Sequence, residues 1–229
     1  KVMPFEELEI LAVSTPDVYN LQKFLSLIID FKIPIWSVLF INPKMAELKN
    51  QTPPKEHVHF NSDNEIDNKS TLTDEIILPE SYISTLAFPK KNISQVKDGL
   101  ESILNETNST LLSSKIAQHE WENRFNTMVV KRLGPSMVPS EFIIPLNKLG
   151  DTLTEIITKV KQPIIKEGMV IKRDQSGKSE VVILGFIPSD ERKFSYNFVF
   201  ALTLTILKIA QKNNGRPYST GLYFANKAQ

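Results

Sequence analysis

The sequence contains no cysteine. Disulfides, thiolate zinc sites, cysteine nucleophiles and iron–sulfur ligation by this chain are therefore excluded. A cysteine-free chain suits a reducing compartment, and a cytoplasmic location is expected. Glycine is scarce, at 8 of 229 residues, and there is no G-x-G-x-x-G, no Walker A loop and no G-x-S-x-G elbow. A backbone cradle for nucleotide phosphates is accordingly not expected here. The most apolar stretch, Phe194 to Ala210, is broken by Ser195, Asn197, Thr203, Thr205 and Lys208. A spanning helix needs about 20 mostly apolar residues. Excess charge of one sign is missing too: 27 Lys and Arg against 26 Asp and Glu leave a net charge of +1. Such a chain has no global field to hold nucleic acid, which is not an expected partner. The sequence starts at Lys1 with neither Met nor a signal-like segment, and Lys1-Val2-Met3-Pro4 reads as the inside of something longer.

What is present is an ordinary globular balance, 41% hydrophobic and 23% charged. Leu8 to Ser14 has the apolar, β-branched content of a strand. Thr15-Pro16-Asp17 then reads as a helix start, with a hydroxyl cap and Pro at the first turn. Val18, Leu21, Phe24, Leu25, Ile28 and Ile29 follow at helical spacing, and Pro34 to Ile41 returns as a strand. Residues 50–78 hold Pro53-Pro54 and many polar residues, and are expected to be a surface insertion with a short strand at His57 to Phe60. Ser81 to Phe88, a helix carrying Ile93, Val96, Leu100 and Ile103, and Ser109 to Ser113 repeat the strand–helix–strand order. Lys115 to Leu133 is predicted to be one helix, stopped by Gly134-Pro135. Glu141 to Leu146 (strand), Asp151 to Lys161 (helix), Ile164 to Lys172 with Ser179 to Ile187 (hairpin) and Asp190 to Asn213 (helix, capped by Ser189) complete the chain. The order predicts an α+β fold of two ferredoxin-like halves, with helices on one face of a mainly antiparallel sheet.

Three constellations carry chemistry. His57 and His59 share one face of the expected strand, but a polar insertion without cysteine is a poor metal site, and no metal is expected. Arg124 falls three residues after Trp121 and four before Met128, on the apolar stripe of the predicted helix. An Arg there needs an anion: a structural carboxylate such as Glu141, or the carboxylate of a substrate held bidentately. The stretch Gly215 to Phe224 combines turn residues with hydroxyls, two Tyr and Arg216. It reads either as a closing turn or as a place where a ligand meets the backbone.

Several segments together resemble the C-terminal domain of FAD-linked oxidases of the vanillyl-alcohol-oxidase type, the group with D-lactate dehydrogenases and the glycolate oxidase flavoprotein subunit. Lys1-Val2-Met3-Pro4-Phe5-Glu6 is similar to the exit from the flavin domain. Trp121-Glu122-Asn123-Arg124 is similar to that family's tryptophan-x-x-arginine helix. Ser140-Glu141-Phe142-Ile143-Ile144-Pro145-Leu146 resembles the strand that follows it, and Asn214-Gly215 with Arg216 to Lys227 resembles the closing segment near the flavin. The likeness spans residues 1–229 and implies a substrate-binding cap domain, with an FAD-binding domain upstream as its partner.

The implied activity is FAD-dependent dehydrogenation of a small 2-hydroxy acid such as D-lactate or glycolate, with the isolated chain inactive. Arg124 takes the substrate carboxylate in this likeness, and Arg216, Ser219, Thr220 and Tyr223 become substrate-binding candidates. Two departures stand out. Relatives carry His on the strand equivalent to Ser179 to Ile187 and a glutamate–histidine–glycine set in the closing segment. Both are missing here, so their metal site and base do not carry over. Tyr218 and Tyr223 are the candidates for the base by residue type, although a phenol of ordinary pKa, about 10, needs activation. The rival expectation is a catalytically retired domain that binds a small acid or a partner protein. A homodimer or a peripheral membrane association of the full-length enzyme is compatible with either.

Overall fold

The computed structural model describes residues 6–52, 76–134, 136–160, 165–173, 178–193 and 196–218. Strand β1, Leu8–Thr15, alternates: Leu11 and Val13 point to one side, Ile10 and Ala12 to the other. Helix α1, Val18–Asp30, buries Val18, Leu21, Phe24, Leu25 and Ile28, the inward stripe expected. Its cap is Asp17 and not Thr15: the Asp17 carboxylate accepts from the backbone N–H of Tyr19 at 2.8 Å and of Asn20 at 2.9 Å. Thr15 is buried and takes a hydrogen bond from Ser109 instead. A hydroxyl has only a few places to go, and here the strand claimed it first.

Strand β2, Ser37–Ile41, leads into helix α2, Pro43–Gln51, capped by Asn42. The first two residues of the expected insertion, Asn50 and Gln51, thus belong to a helix. Residues 53–75, with the strand expected at His57 to Phe60, lie outside the described residues. Where the chain returns, Asn50 clasps the backbone of Leu78 from both sides, at 2.9 and 2.8 Å. Strand β3, Tyr82–Pro89, helix α3, Ile93–Glu106, and the short strand β4, Thr110–Leu111, close the first half. The second half is helix α4, Ser114–Glu122, strand β5, Ser136–Pro145, helix α5, Leu149–Lys159, strands β6, Ile165–Arg173, and β7, Ser179–Ser189, helix α6, Tyr196–Lys212, and strand β8, Arg216–Pro217.

All the strands join one eight-stranded antiparallel sheet in the order β4-β1-β3-β2-β6-β7-β5-β8. The first half reads 4-1-3-2 in its own strand numbers, and the second half is the same order reversed. This is the α+β architecture of two ferredoxin-like halves that the sequence predicts. They meet where β2 pairs with β6.

Four helices form the layer on one face. Val96, Leu100 and Ile103 of α3, Leu149, Leu153 and Ile156 of α5, and Val199, Ile206 and Leu207 of α6 share a core with Phe24 of α1 and with Phe142 and Ile183 of the sheet. A buried side chain of this size contributes about 1.5–3 kcal/mol relative to exposure. The opposite face is not bare. Met45 and Ala46 of α2 and Ala117 of α4 cover Ala12, Ile83 and Phe186 in a smaller cluster.

Two helices differ from expectation. The helix predicted over Lys115 to Leu133 ends at Glu122, turns through residues 123–126 and resumes as a 3-10 segment, Thr127–Leu133. Local side chains stop it: Asn123 Nδ2 donates to the His119 carbonyl at 2.9 Å, and the Arg124 guanidinium donates to the Trp121 carbonyl. These bonds satisfy carbonyls that a continuing helix would have used. The last helix starts at Tyr196, not at Asp190. Asp190 instead closes a turn, accepting from the backbone N–H of Arg192 at 3.1 Å and from its guanidinium at 2.9 and 3.0 Å. Those bonds hold the Asp190 carboxyl down at about 2. Strand β5 begins at Ser136, five residues before the Glu141 predicted, because the whole stretch pairs with β7.

Candidate functional site

The end of α4 gathers the chemistry on the thinly covered face. Arg124 does not sit on a buried helical stripe, because the helix stops before it. Its Cζ lies 3.9 Å from the centroid of the Trp121 ring and 4.6 Å from that of Phe125. Both distances suit cation–π contact. Phe125 is 84% exposed, so the apolar stripe expected through it does not exist. The guanidinium is half-buried and spends one donor, Nη1, on the Trp121 carbonyl. Among the described residues it forms no ion pair, with Glu141 or any other carboxylate. Glu141 lies on β5, where its backbone carbonyl accepts from Tyr218 N–H at 3.1 Å.

One residue before Trp121, Glu120 is buried with its carboxylate on Lys49 of α2, at 2.8 and 2.6 Å. His119 Nδ1 approaches the same carboxylate at 3.0 Å. Burial pushes the Glu120 carboxyl up, but the His119 hydrogen bond and the Lys49 charge outweigh it, and the group stays below the usual carboxylate range. The pair ties α2 to α4 beneath the Arg124 turn. The sequence reading missed it, although a signal was there. Ala117 and Glu120, three apart, are the buried residues of α4, so an acid stood on an inward face.

The other expected residues lie across the sheet. Arg216 on β8 reaches over β5 to grip Glu180 of β7 bidentately, the Nη2–Oε2 bond being 2.8 Å. Tyr218 follows it and is 56% exposed. Ser219, Thr220 and Tyr223 lie outside the described residues. Among the described residues no bond joins Arg124 to Arg216 or Tyr218. A cleft of about 250 Å³ between the end of α1 and the start of β7 is lined by Asp30 and Lys178 and holds none of these residues.

A glycine lets a ligand approach the backbone closely when its missing Cβ leaves room. At Gly185 that room is taken by Ser140, whose O and Oγ would lie 2.7 Å from a Cβ. At Gly215 the carbonyls of Ile143 and Ala210 take it, at 2.6 and 2.8 Å. Gly134, at φ +103°, ends the 3-10 segment. No group of three His, Asp or Glu placed to hold a metal ion occurs among the described residues, and His57 and His59 lie outside them. Nor, among the described residues, is any helix long and apolar enough to cross a membrane.

The chain matches no protein-family model and no curated protein. Solved structures do resemble it. p-Cresol methylhydroxylase with substrate bound aligns with a TM-score of 0.63 over 95% of this chain and 47% of its own, at 8% identity. Alkyldihydroxyacetonephosphate synthase aligns in two crystal forms. The TM-scores are 0.60 and 0.56, over 93% and 91% of this chain and 41% and 39% of the synthase, at 12% and 13% identity. The chain therefore spans less than half the length of either enzyme. At such identities the likeness is one of fold.

Proposed function

We propose that this chain is the substrate-binding cap of an FAD-dependent enzyme that oxidises a 2-hydroxy acid such as D-lactate or glycolate. FAD would be held by a separate, upstream domain, and the 229 residues alone would be inactive. The observation that carries the proposal is the free edge of Arg124. With Nη1 committed to the Trp121 carbonyl, the Nε–Nη2 side still presents two parallel donors, the fork that matches a carboxylate. The rings of Trp121 and Phe125 lie against the guanidinium, and the Lys49–Glu120 pair anchors the helix that leads into its turn. Bound FAD would supply the oxidising chemistry. The role of this chain is to hold the acid by its carboxylate and keep water from the reacting carbon.

The test uses the full-length flavoprotein. Arg124→Met keeps an apolar stem but removes the charge, and should lower kcat/KM for the acid by about 30-fold or more while leaving the flavin spectrum and the melting temperature unchanged. Arg124→Lys should recover only part, because an ammonium cannot present a planar fork. A variant that turns over normally would reject the assignment. The rival reading, a retired binding module, draws on the absence of His from β7. Anaerobic D-lactate separates the two: bleaching of the yellow protein supports the dehydrogenase, and an unchanged spectrum with saturating acid bound supports the module.

A further inference from the structure

An Asn-Gly pair occurs once in the sequence, at Asn214-Gly215, and the fold asks for both residues. Asn214 ends α6 in the left-handed region, at φ +63°, which Gly and Asn adopt most readily. Gly215 has no space for a side chain. A Cβ there would meet the Ile143 carbonyl at 2.6 Å, Ile144 Cγ2 at 2.7 Å and the Ala210 carbonyl at 2.8 Å. The turn therefore sets an exposed side-chain amide next to a main-chain nitrogen that no Cβ shields. We propose that Asn214 is a site of self-modification, at which the side chain deamidates through a succinimide only when the end of α6 comes undone.

The chemistry needs only water. The Gly215 nitrogen loses its proton and bonds to Asn214 Cγ, the Cγ–Nδ2 bond breaks, and ammonia leaves with that proton. Water then opens the cyclic imide on one side or the other. Opening at Cγ gives aspartate. Opening at the main-chain carbonyl gives isoaspartate, with an extra methylene in the main chain. Folding blocks the first step. The Gly215 N–H donates to the Ala210 carbonyl at 2.8 Å, and the Asn214 N–H to the Gln211 carbonyl at 3.0 Å, so the amides on both sides of Asn214 are held. Arg216 and Pro217 follow at once and pair with Ile143 and Phe142 of β5. Attack on Cγ therefore waits for local opening of this cap. An extra methylene displaces Gly215 from its enclosed place, so the isoaspartate form cannot close β8 as before. Asn108 is the internal control. It ends α3 in the same way, at φ +49°, with the Ser109 N–H on the Leu104 carbonyl at 2.9 Å, but Ser109 has a side chain that hinders attack.

Peptide mass spectrometry of the full-length protein in mildly alkaline buffer, folded and in denaturing urea, tests the point. In the unfolded protein Asn214 should gain the mass difference between an amide and an acid, as aspartate and isoaspartate peptides, and faster than Asn108. In the folded protein the rate should be lower by about ten-fold or more, in step with the slowing of hydrogen exchange at the Gly215 N–H. The isoaspartate fraction, once refolded, should lose that protection, whereas Asn214→Gly, which keeps the left-handed turn, should retain it through the same ageing. Absence of conversion at Asn214 in the unfolded protein would overturn the site. Equal rates in the two states would overturn the gate, and full Gly215 protection in the isoaspartate fraction would overturn the effect on β8.

Discussion

The two faces of the sheet solve different problems. One carries α1, α3, α5 and α6 over a core of side chains such as Phe24, Leu100, Leu153, Phe142 and Ile183. Among the described residues, the other carries only the short α2 and α4 and a 3-10 segment, over a cluster built on Ala12, Met45, Ala46 and Phe186. The thick face buries apolar side chains and a few hydroxyls such as Thr152 and Thr203, while the thin one holds the buried Lys49–Glu120 pair and the Arg124 turn. A face with little hydrophobic cover can accommodate charge, because short helices leave their ends and side chains near the sheet. The difference separates where the fold gets its stability from where it keeps reactive groups.

The largest effect should come from the thick face. Phe24 is fully buried, and Phe24→Ala should cost about 3–5 kcal/mol in urea denaturation. A loss below about 1 kcal/mol would break the contrast between the faces. On the thin face, Lys49→Met leaves the Glu120 carboxylate buried with only His119 beside it, and should cost about 3 kcal/mol. Replacing both partners, Lys49→Met with Glu120→Leu, should recover most of that loss. If the double variant is no better than the single one, charge pairing is not what the thin face uses.

The smallest effect concerns pH. Hydrogen bonds from Lys159 and Lys212 hold the Glu155 carboxyl down at about 2, below its ordinary value of 4.5. A depressed carboxyl stabilises the folded state fully above its unfolded pKa, and that contribution disappears as pH falls through the folded value. The urea midpoint of the wild type should therefore drop between pH 4.5 and 2 more steeply than that of Glu155→Gln. Parallel curves would mean that this tie between α5 and α6 does not contribute. Glu120 shifts in the same direction, so the wild-type curve includes its share as well.

The thick face was the legible one. Leu21, Phe24, Leu25 and Ile28, or Val96, Leu100 and Ile103, recur at helical spacing, and a stripe that packs on a sheet leaves that trace in any sequence. The order of elements along the chain, and with it the two ferredoxin-like halves, was read from the same rhythm, whereas the strand order comes from the structure. The thin face was not legible, because its features depend on bonds that periodicity does not record. Trp121, Phe125 and Met128 look like one stripe, yet Asn123 and Arg124 turn their side chains onto the carbonyls of His119 and Trp121 and end the helix. Lys49 and Glu120 are 71 residues apart, and only the packing of α2 beside α4 brings them together. Arg216 was a substrate-binding candidate through the resemblance alone, and its pairing with Glu180 of β7, 36 residues earlier, was not foreseen.

The seam between the halves has a mechanical consequence. β2 and β6 are joined by three residue pairs, Leu39–Met169, Phe40–Gly168 and Ile41–Glu167, whereas β5 and β7 share ten. One of the three sets Phe40 opposite a glycine, which offers no cross-strand side chain. Under tension across the sheet, the load at that junction falls on the fewest hydrogen bonds of any interior ladder. The molecule has its weakest main-chain seam along its own symmetry, and there α1 packed on α5 and α2 packed on β6 carry the load that the ladder does not.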